Sequence, residues 1–169
     1  MISTFFTVIV TLILSFCFSA FPVVASPLIQ PYSMAIFGLK GTAPQDLGIN
    51  KELLKPCPAS PNCVISQNGD DTHSIKPITY QTDRETARKV LLKVLTVVPR
   101  TTVVEETENY IRTESSSSLL GFVDDGEFYF PEDEKLIHLR SASRLGESDL
   151  GVNRRRLEQI RLALQDLGI

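Results

Sequence analysis

The sequence predicts an α+β fold: a four-stranded antiparallel meander sheet with two helices packed on one face and a disulfide-stapled loop ahead of it. Three observations carry this reading. Two stretches repeat apolar residues at helical spacing, four runs between them alternate like strands, and two cysteines close a short Pro/Ser/Asn stretch before them. The order helix, four strands, helix places both helices on one side of a meander.

The first helix is expected over about 83–98. Thr82 and Glu85 have capping-box spacing, in which each side chain satisfies the other's free backbone N–H. Ala87, Val90, Leu91, Val94 and Val98 form one apolar face, and Pro99 stops the helix. Strands are expected over 101–107 and 110–116, joined at Glu108-Asn109, and over 121–130 and 135–144, joined by the acidic turn 131–134. The second helix is expected over about 153–167, where Leu157, Ile160, Leu164 and Leu167 recur before Gly168. Ser148, Asp149 and Asn153 are its candidate caps.

Strand alternation sharpens the picture. Phe122, Phe128 and Phe130 share one face of the third run, and Ile137 and Leu139 share one face of the fourth. Setting Phe128 opposite Ile137 makes the apolar sets coincide beneath the helices. The other face then carries Asp125 opposite Arg140 and Glu127 opposite His138. In the first hairpin Glu105 falls opposite Arg112, on the side of Val103, Tyr110 and Glu114. Half-exposed sheets commonly carry such charges as cross-strand pairs, and the loop 57–77 is expected to cover part of them. Asp124 and Asp125 point to opposite faces and cannot flank one glycosidic bond.

Ahead of this domain, the first charged side chain is Lys40. The apolar run 5–18, with Val23 and Ala25 as small or medium residues before a cut, reads as a signal peptide over 1–25. Pro22 shortens any span, so a removable signal is favoured over a retained anchor, and an uncleaved segment is the one membrane attachment expected. Phe16 is too large to precede a lipid-modified Cys17. Residues 26–56, punctuated by Pro and Gly, read as an extended lead-in, and 57–169 as a single domain.

Removing the signal leaves Cys57 and Cys63, which read first as a structural disulfide in an oxidising compartment, contributing roughly 2 kcal/mol. A redox-active pair lacks the usual two-residue interval. A zinc site recruiting His73 with Asp70 or Asp71 has two thiols and mixed spacing, so no metal is expected.

The net charge of −3, without basic runs interleaved with aromatics, speaks against nucleic acid. The sequence holds no Gly-rich phosphate loop, nucleophile elbow or HExxH, and no cofactor is expected. The second informative stretch is 140–156, in which Arg154, Arg155 and Arg156 occupy the first turn of a helix, where its dipole disfavours cations. Pairing with nearby acids explains them, and an anion site built from hydroxyls, helix N–H groups and guanidinium forks is the sharper alternative.

The candidate binding residues are therefore Asp125, Glu127, His138, Arg140, Arg144, Asp149, Asn153 and Arg154. The leading reading is a non-enzymatic exported module that binds a partner protein or a small anionic ligand. The alternatives are a hydrolase using Asp125 and His138 as acid and base, and a thiol–disulfide protein using Cys57 and Cys63.

Three ordered strings resemble one known family. Residues 54–67 (LKPCPASPNCVISQ) are similar to the CPxSPNCVSSQ signature of the domain of unknown function 1499 family, with Ile65 where serine is more typical. Residues 121–128 resemble its Gly-Phe-Val-Asp-Asp-x-Glu-Phe strand, residues 140–156 its RSxSRxGxSDxGxNRxR string, and His73, Ile75 and Pro77 its HxIxP element. The resemblance covers about 47–164. It implies a bacterial or plastid protein, exported to the periplasm or thylakoid lumen, with no assigned activity. It groups Cys57, Cys63, Asp124, Asp125, Arg140, Arg144, Asp149, Asn153 and Arg154 as motif positions and transfers no catalytic role.

Overall fold

The computed structural model describes residues 39–169. The signal peptide expected over 1–25 lies outside the described residues, as does the first part of the lead-in. The elements in chain order are β1 (Cys63–Ile65), β2 (Ile78–Thr79), α1 (Arg84–Leu95), β3 (Thr101–Glu106), β4 (Tyr110–Ser116), β5 (Val123–Tyr129), β6 (Leu136–Ser143) and α2 (Val152–Asp166). The class is α+β with two helices, and the meander β3-β4-β5-β6 forms as expected. The sheet nevertheless has six strands rather than four. β1 and β2 lie one after the other along the outer edge of β6, with Cys63 opposite Ala142, Ile65 opposite Arg140 and Ile78 opposite Ile137. Strands of three and two residues are too short to show alternation, so sequence periodicity passes over them.

Both helices pack on one face of the sheet. Ala87, Leu91, Val94 and Leu95 of α1 and Leu157, Ile160 and Leu164 of α2 meet Ile111, Phe128, Ile137 and Leu139, all buried. Asp83, rather than Thr82, caps α1: its Oδ1 accepts the Thr86 backbone N–H at 2.8 Å and its Oδ2 the Thr86 hydroxyl at 2.7 Å. These donors hold the Asp83 carboxyl below its ordinary pKa. Glu85 pairs instead with Lys89 one turn on, which leaves no capping box.

The register of the second hairpin differs from expectation by two residues. Phe128 lies opposite Leu139, so Glu127 faces Arg140, Asp125 faces Ala142 and His138 faces Tyr129. A tight turn at 131–134 does not form. Pro131 has no N–H for the ladder, the Phe130 N–H is spent on Asn109 O, and Leu136 and Ile137 are drawn into pairing with β2. Because side chains alternate with period two, a slip of two leaves every residue on its expected face. In the first hairpin Glu105 does face Arg112, but the register shifts between Val103 and Glu105. That bulge turns Val103 to the helix side, where it packs on the core, instead of leaving it beside Tyr110 and Glu114.

The layering is tight at Gly126, in the middle of β5. A Cβ there would come within 2.5 Å of Thr113 Oγ1 on the adjoining strand. Gly126→Ala is expected to cost about 1–2 kcal/mol by overpacking. Chemical denaturation of the single and double variants checks this: Thr113→Ala in the same chain should recover most of the loss.

Candidate functional site

The face of the sheet away from the helices carries rows of cross-strand neighbours. One row runs Glu105, Arg112, Glu127, Arg140, alternating acid and base across four strands. The next holds Glu114, Asp125 and Ala142, with Arg144 just past the end of β6. This face, expected to be half exposed, is buried along β5 and β6, where Glu127 is 0% exposed, Asp125 1% and Arg140 4%, and is open to solvent in part at Glu105, Arg112 and Glu114. The chain segment 42–58 lies over it as a strap, and the loop 57–77 expected there covers a smaller part, with Cys57 and Pro58 in the cleft and Ser66 at His138. Leu54 packs beneath it with Ile65, Tyr110 and Tyr129.

Burial of charge is costly unless every charge is answered by donors or acceptors, and here nearly all are. Glu127 Oε1 accepts the Gly48 backbone N–H at 2.9 Å and the Tyr110 hydroxyl at 2.8 Å, while Oε2 accepts Arg140 Nη1 at 2.8 Å. Burial, and then the Glu127 carboxylate, push the Tyr110 hydroxyl pKa well up. Arg144 grips Asp125 side-on, Nε to Oδ2 at 2.7 Å and Nη2 to Oδ1 at 2.8 Å, and also donates to Glu114. The bond to Asp125 raises the Arg144 pKa above its ordinary value. Arg112 donates Nε to Glu105 at 3.2 Å.

Two buried donors break the pattern: Arg112 Nη1 and Arg140 Nε have no hydrogen-bond partner among the described residues. Arg112 Nη1 still lies 3.5 Å from Asp125 Oδ1. Arg140 lines a cleft of about 290 Å³ between strap and sheet, together with Leu47, Lys55, Pro58, Ala142 and Arg144. Lys55 is held at its mouth by Asp46, at 2.7 and 2.6 Å from its two carboxylate oxygens.

The remaining expected residues are elsewhere. Asp149 and Asn153 sit on the helix side of the sheet. The N-cap of α2 is Gly151 rather than Ser148, Asp149 or Asn153, and Asp149, two residues before it, accepts the N–H groups of Gly151 at 2.9 Å and Asn153 at 2.7 Å. The left-handed turn at Gly151, φ 76°, admits this approach. Asn153, 0% exposed, accepts the Ser141 hydroxyl at 2.6 Å and Arg156 Nη1 at 2.9 Å, and donates to Asn62 O and Ser143 Oγ, each at 3.2 Å. Asp124 completes this node, accepting Ser143 Oγ at 2.6 Å and Arg156 Nη2 at 2.7 Å. Arg154 reaches neither cluster. It donates to the carbonyls of Ser74 at 2.6 Å and Thr72 at 2.9 Å, tying α2 to the loop before β2. The three arginines of the helix start are thus placed by acceptors: Arg155 by Leu150 O, the other two as described.

His138 is also separate. It lies four residues along β6 from Ala142, the partner of Asp125, a distance of about 13 Å at strand rise. The two cannot act as an acid–base pair on one bond. Ser66 Oγ accepts the Leu139 N–H at 2.8 Å and shares a hydrogen bond with His138 Nδ1 at 3.1 Å. Burial holds the His138 pKa below its ordinary value. At mildly acidic pH the unfolded chain therefore binds a proton that the folded chain does not, and stability falls as pH drops below about 6.5. Thermal melts at pH 7.5 and 5.5 should show this fall, and His138→Gln should flatten it over that interval.

Cys57 and Cys63 form the expected disulfide, with Cα atoms 5.7 Å apart. The His73 ring nitrogens face Asp70 Oδ1 at 2.7 Å and Ser60 O at 3.1 Å. With the sulfurs bonded to each other and both ring nitrogens turned to acceptors, these residues hold no ligand set for zinc.

The candidate list left out Gly48, Asn62, Ser141, Ser143 and Arg156, although the expected pairing of the helix-start arginines with acids holds for Arg156, which meets Asp124. Gly48 acts through its backbone and carries no side-chain signal. Ser141, Ser143 and Arg156 were legible as partners of Asn153 and Asp124 from strand alternation and helix spacing, once the helix-facing side was allowed polar residues.

A family model described as "Protein of unknown function (DUF1499)" matches residues 53–164. No curated protein and no solved structure matches the chain.

Proposed function

Taking as premise that the chain belongs to the DUF1499 family of proteins of unknown function, we propose that it is a non-catalytic binding module whose ligand enters the cleft between the strap 42–58 and the ionic sheet face. The observation that carries the proposal is Arg140, a 4% exposed guanidinium that lines the cleft and keeps a buried N–H without an acceptor. Buried polar groups are nearly always satisfied, and an exception beside a cavity marks where a partner group belongs. The other charges on this face pair with one another within the sheet, and Glu127 alone bonds the strap, through the Gly48 N–H; that fixed pairing supports binding over turnover.

The hydrolase alternative loses its chemistry with the separation of Asp125 from His138. The thiol–disulfide alternative is disfavoured by burial: Cys63 is 1% exposed, in the strand paired with β6, which shields the disulfide from an attacking thiolate. The working place proposed is an oxidising compartment reached by export, periplasm or thylakoid lumen, where a disulfide persists.

Amide NMR titration of the protein with a panel of small anions tests the reading. Shifts should concentrate in residues 42–58 and 140–144 and vanish in Arg140→Lys, whose melting temperature should stay within several degrees of the parent. Shifts confined to other regions, or substrate turnover lost on His138→Ala, would exclude it.

A further inference from the structure

We propose that the ligand of this cleft is a monocarboxylate carrying a small apolar body, seated on the Nε/Nη2 edge of Arg140. The inference rests on the cleft reading above and adds the ligand's chemical class.

A guanidinium presents two hydrogen-bonding edges. Arg140 spends Nη1 on Glu127 Oε2 at 2.8 Å, which leaves the opposite edge, where Nε–H and one Nη2–H project in parallel. Nε has no partner, and no described residue accepts from Nη2. The neighbouring Arg144 shows what this edge takes in the same surroundings: its Nε and Nη2 hold the two oxygens of Asp125 at 2.7 and 2.8 Å. A planar carboxylate fits the free edge of Arg140 in the same way.

Charge selects among anions. Around the strap and this face stand six carboxylates, Asp46, Glu52, Glu105, Glu114, Asp125 and Glu127, against five cations, Lys51, Lys55, Arg112, Arg140 and Arg144. The carboxylates already outnumber the cations by one, so each negative charge brought into this partly dry site rests on the Arg140 fork alone; a monocarboxylate brings one such charge and a phosphate dianion two, which disfavours the dianion. The walls choose the rest of the ligand. Pro44, Leu47, Pro56, Pro58 and Ala142 give the cleft aliphatic surface for the body behind the carboxylate; Asp125 also lines it, with both oxygens held by Arg144, and about 290 Å³ suits a group the size of one aromatic ring.

Benzoate, acetate and inorganic phosphate are the probes, titrated into the full chain at pH 7 by calorimetry and amide NMR. Benzoate should bind saturably, shifting the Leu47, Gly48 and Ala142 amides, and more tightly than acetate or phosphate. Arg140→Lys keeps the charge but removes the fork, and should weaken benzoate by about tenfold or more. Ala142→Leu leaves every ion pair intact, fills the cleft, and should abolish binding. Benzoate binding that is unchanged in both variants overturns the proposal. Phosphate binding at the same amides more tightly than benzoate overturns the ligand class while the cleft reading stands. Binding of none of the three probes overturns both.

Discussion

Replacing Glu127 with leucine is expected to destabilise the fold by about 3–5 kcal/mol, the usual loss when one partner of a buried ion pair is removed. The side chain is fully buried and takes hydrogen bonds from three directions: the strap through Gly48, β4 through Tyr110 and β6 through Arg140. Leucine fills the volume and answers none of them. Arg140 would keep its charge in a dry site, and the strap would lose its one backbone bond to this carboxylate. Urea denaturation at pH 7 reads the effect. The double variant Glu127→Leu with Arg140→Met should regain much of the loss, because two apolar side chains leave no charge unanswered. A single-variant loss below about 1 kcal/mol would mean that water reaches the pair.

The second large effect is expected at Asn153. Asn153→Leu should cost about 2–3 kcal/mol, since a buried donor left without an acceptor costs roughly 1–3 kcal/mol. Asn153 Oδ1 is the acceptor described for the Ser141 hydroxyl, whereas Asn62 O keeps the Ser143 N–H and Arg156 keeps Asp124. The damage is therefore local, joining the start of α2 to β6. Amide exchange should speed up at the first turn of α2 while the β3–β4 hairpin stays protected. Uniform acceleration across the sheet would contradict that.

Much of this architecture was legible in the residues, and the gaps have physical reasons. The helix faces followed from Leu91, Val94, Leu157 and Leu164, because their burial is what makes the pattern. The ionic face was legible from the alternation of Asp125, Glu127 and Tyr129, even though the partners came out two positions away. A period-two ladder fixes faces firmly and partners weakly, and partners were decided by Pro131 and by the pairing of Ile137 with Ile78. The strap was not legible. It has no periodicity and holds the sheet through a glycine amide, so composition alone suggests a loose lead-in. The candidate list joined residues that alternation separates: Arg140 and Arg144 belong to the ionic side, Asn153 to the helix side, and Arg154 to the loop before β2. Proximity in the motif string concealed that, because 140–156 crosses from strand to helix and so visits both sides of the sheet.

The pairing of β1 with β6 sets the order in which this molecule can assemble. Cys63–Ile65 waits for partners some eighty positions later, and Gly48 waits as long for Glu127. The hairpins of 101–143 can zip locally, but Gly48 and Cys63–Ile65 have no sheet to hold until they exist. Such distant closures raise contact order and slow the approach to the native state. A chain that emerged from a translocation pore amino end first would thus stay unlocked until its last third arrived, and Cys57 and Cys63, sitting in the waiting stretch, would meet oxidants before they met the sheet.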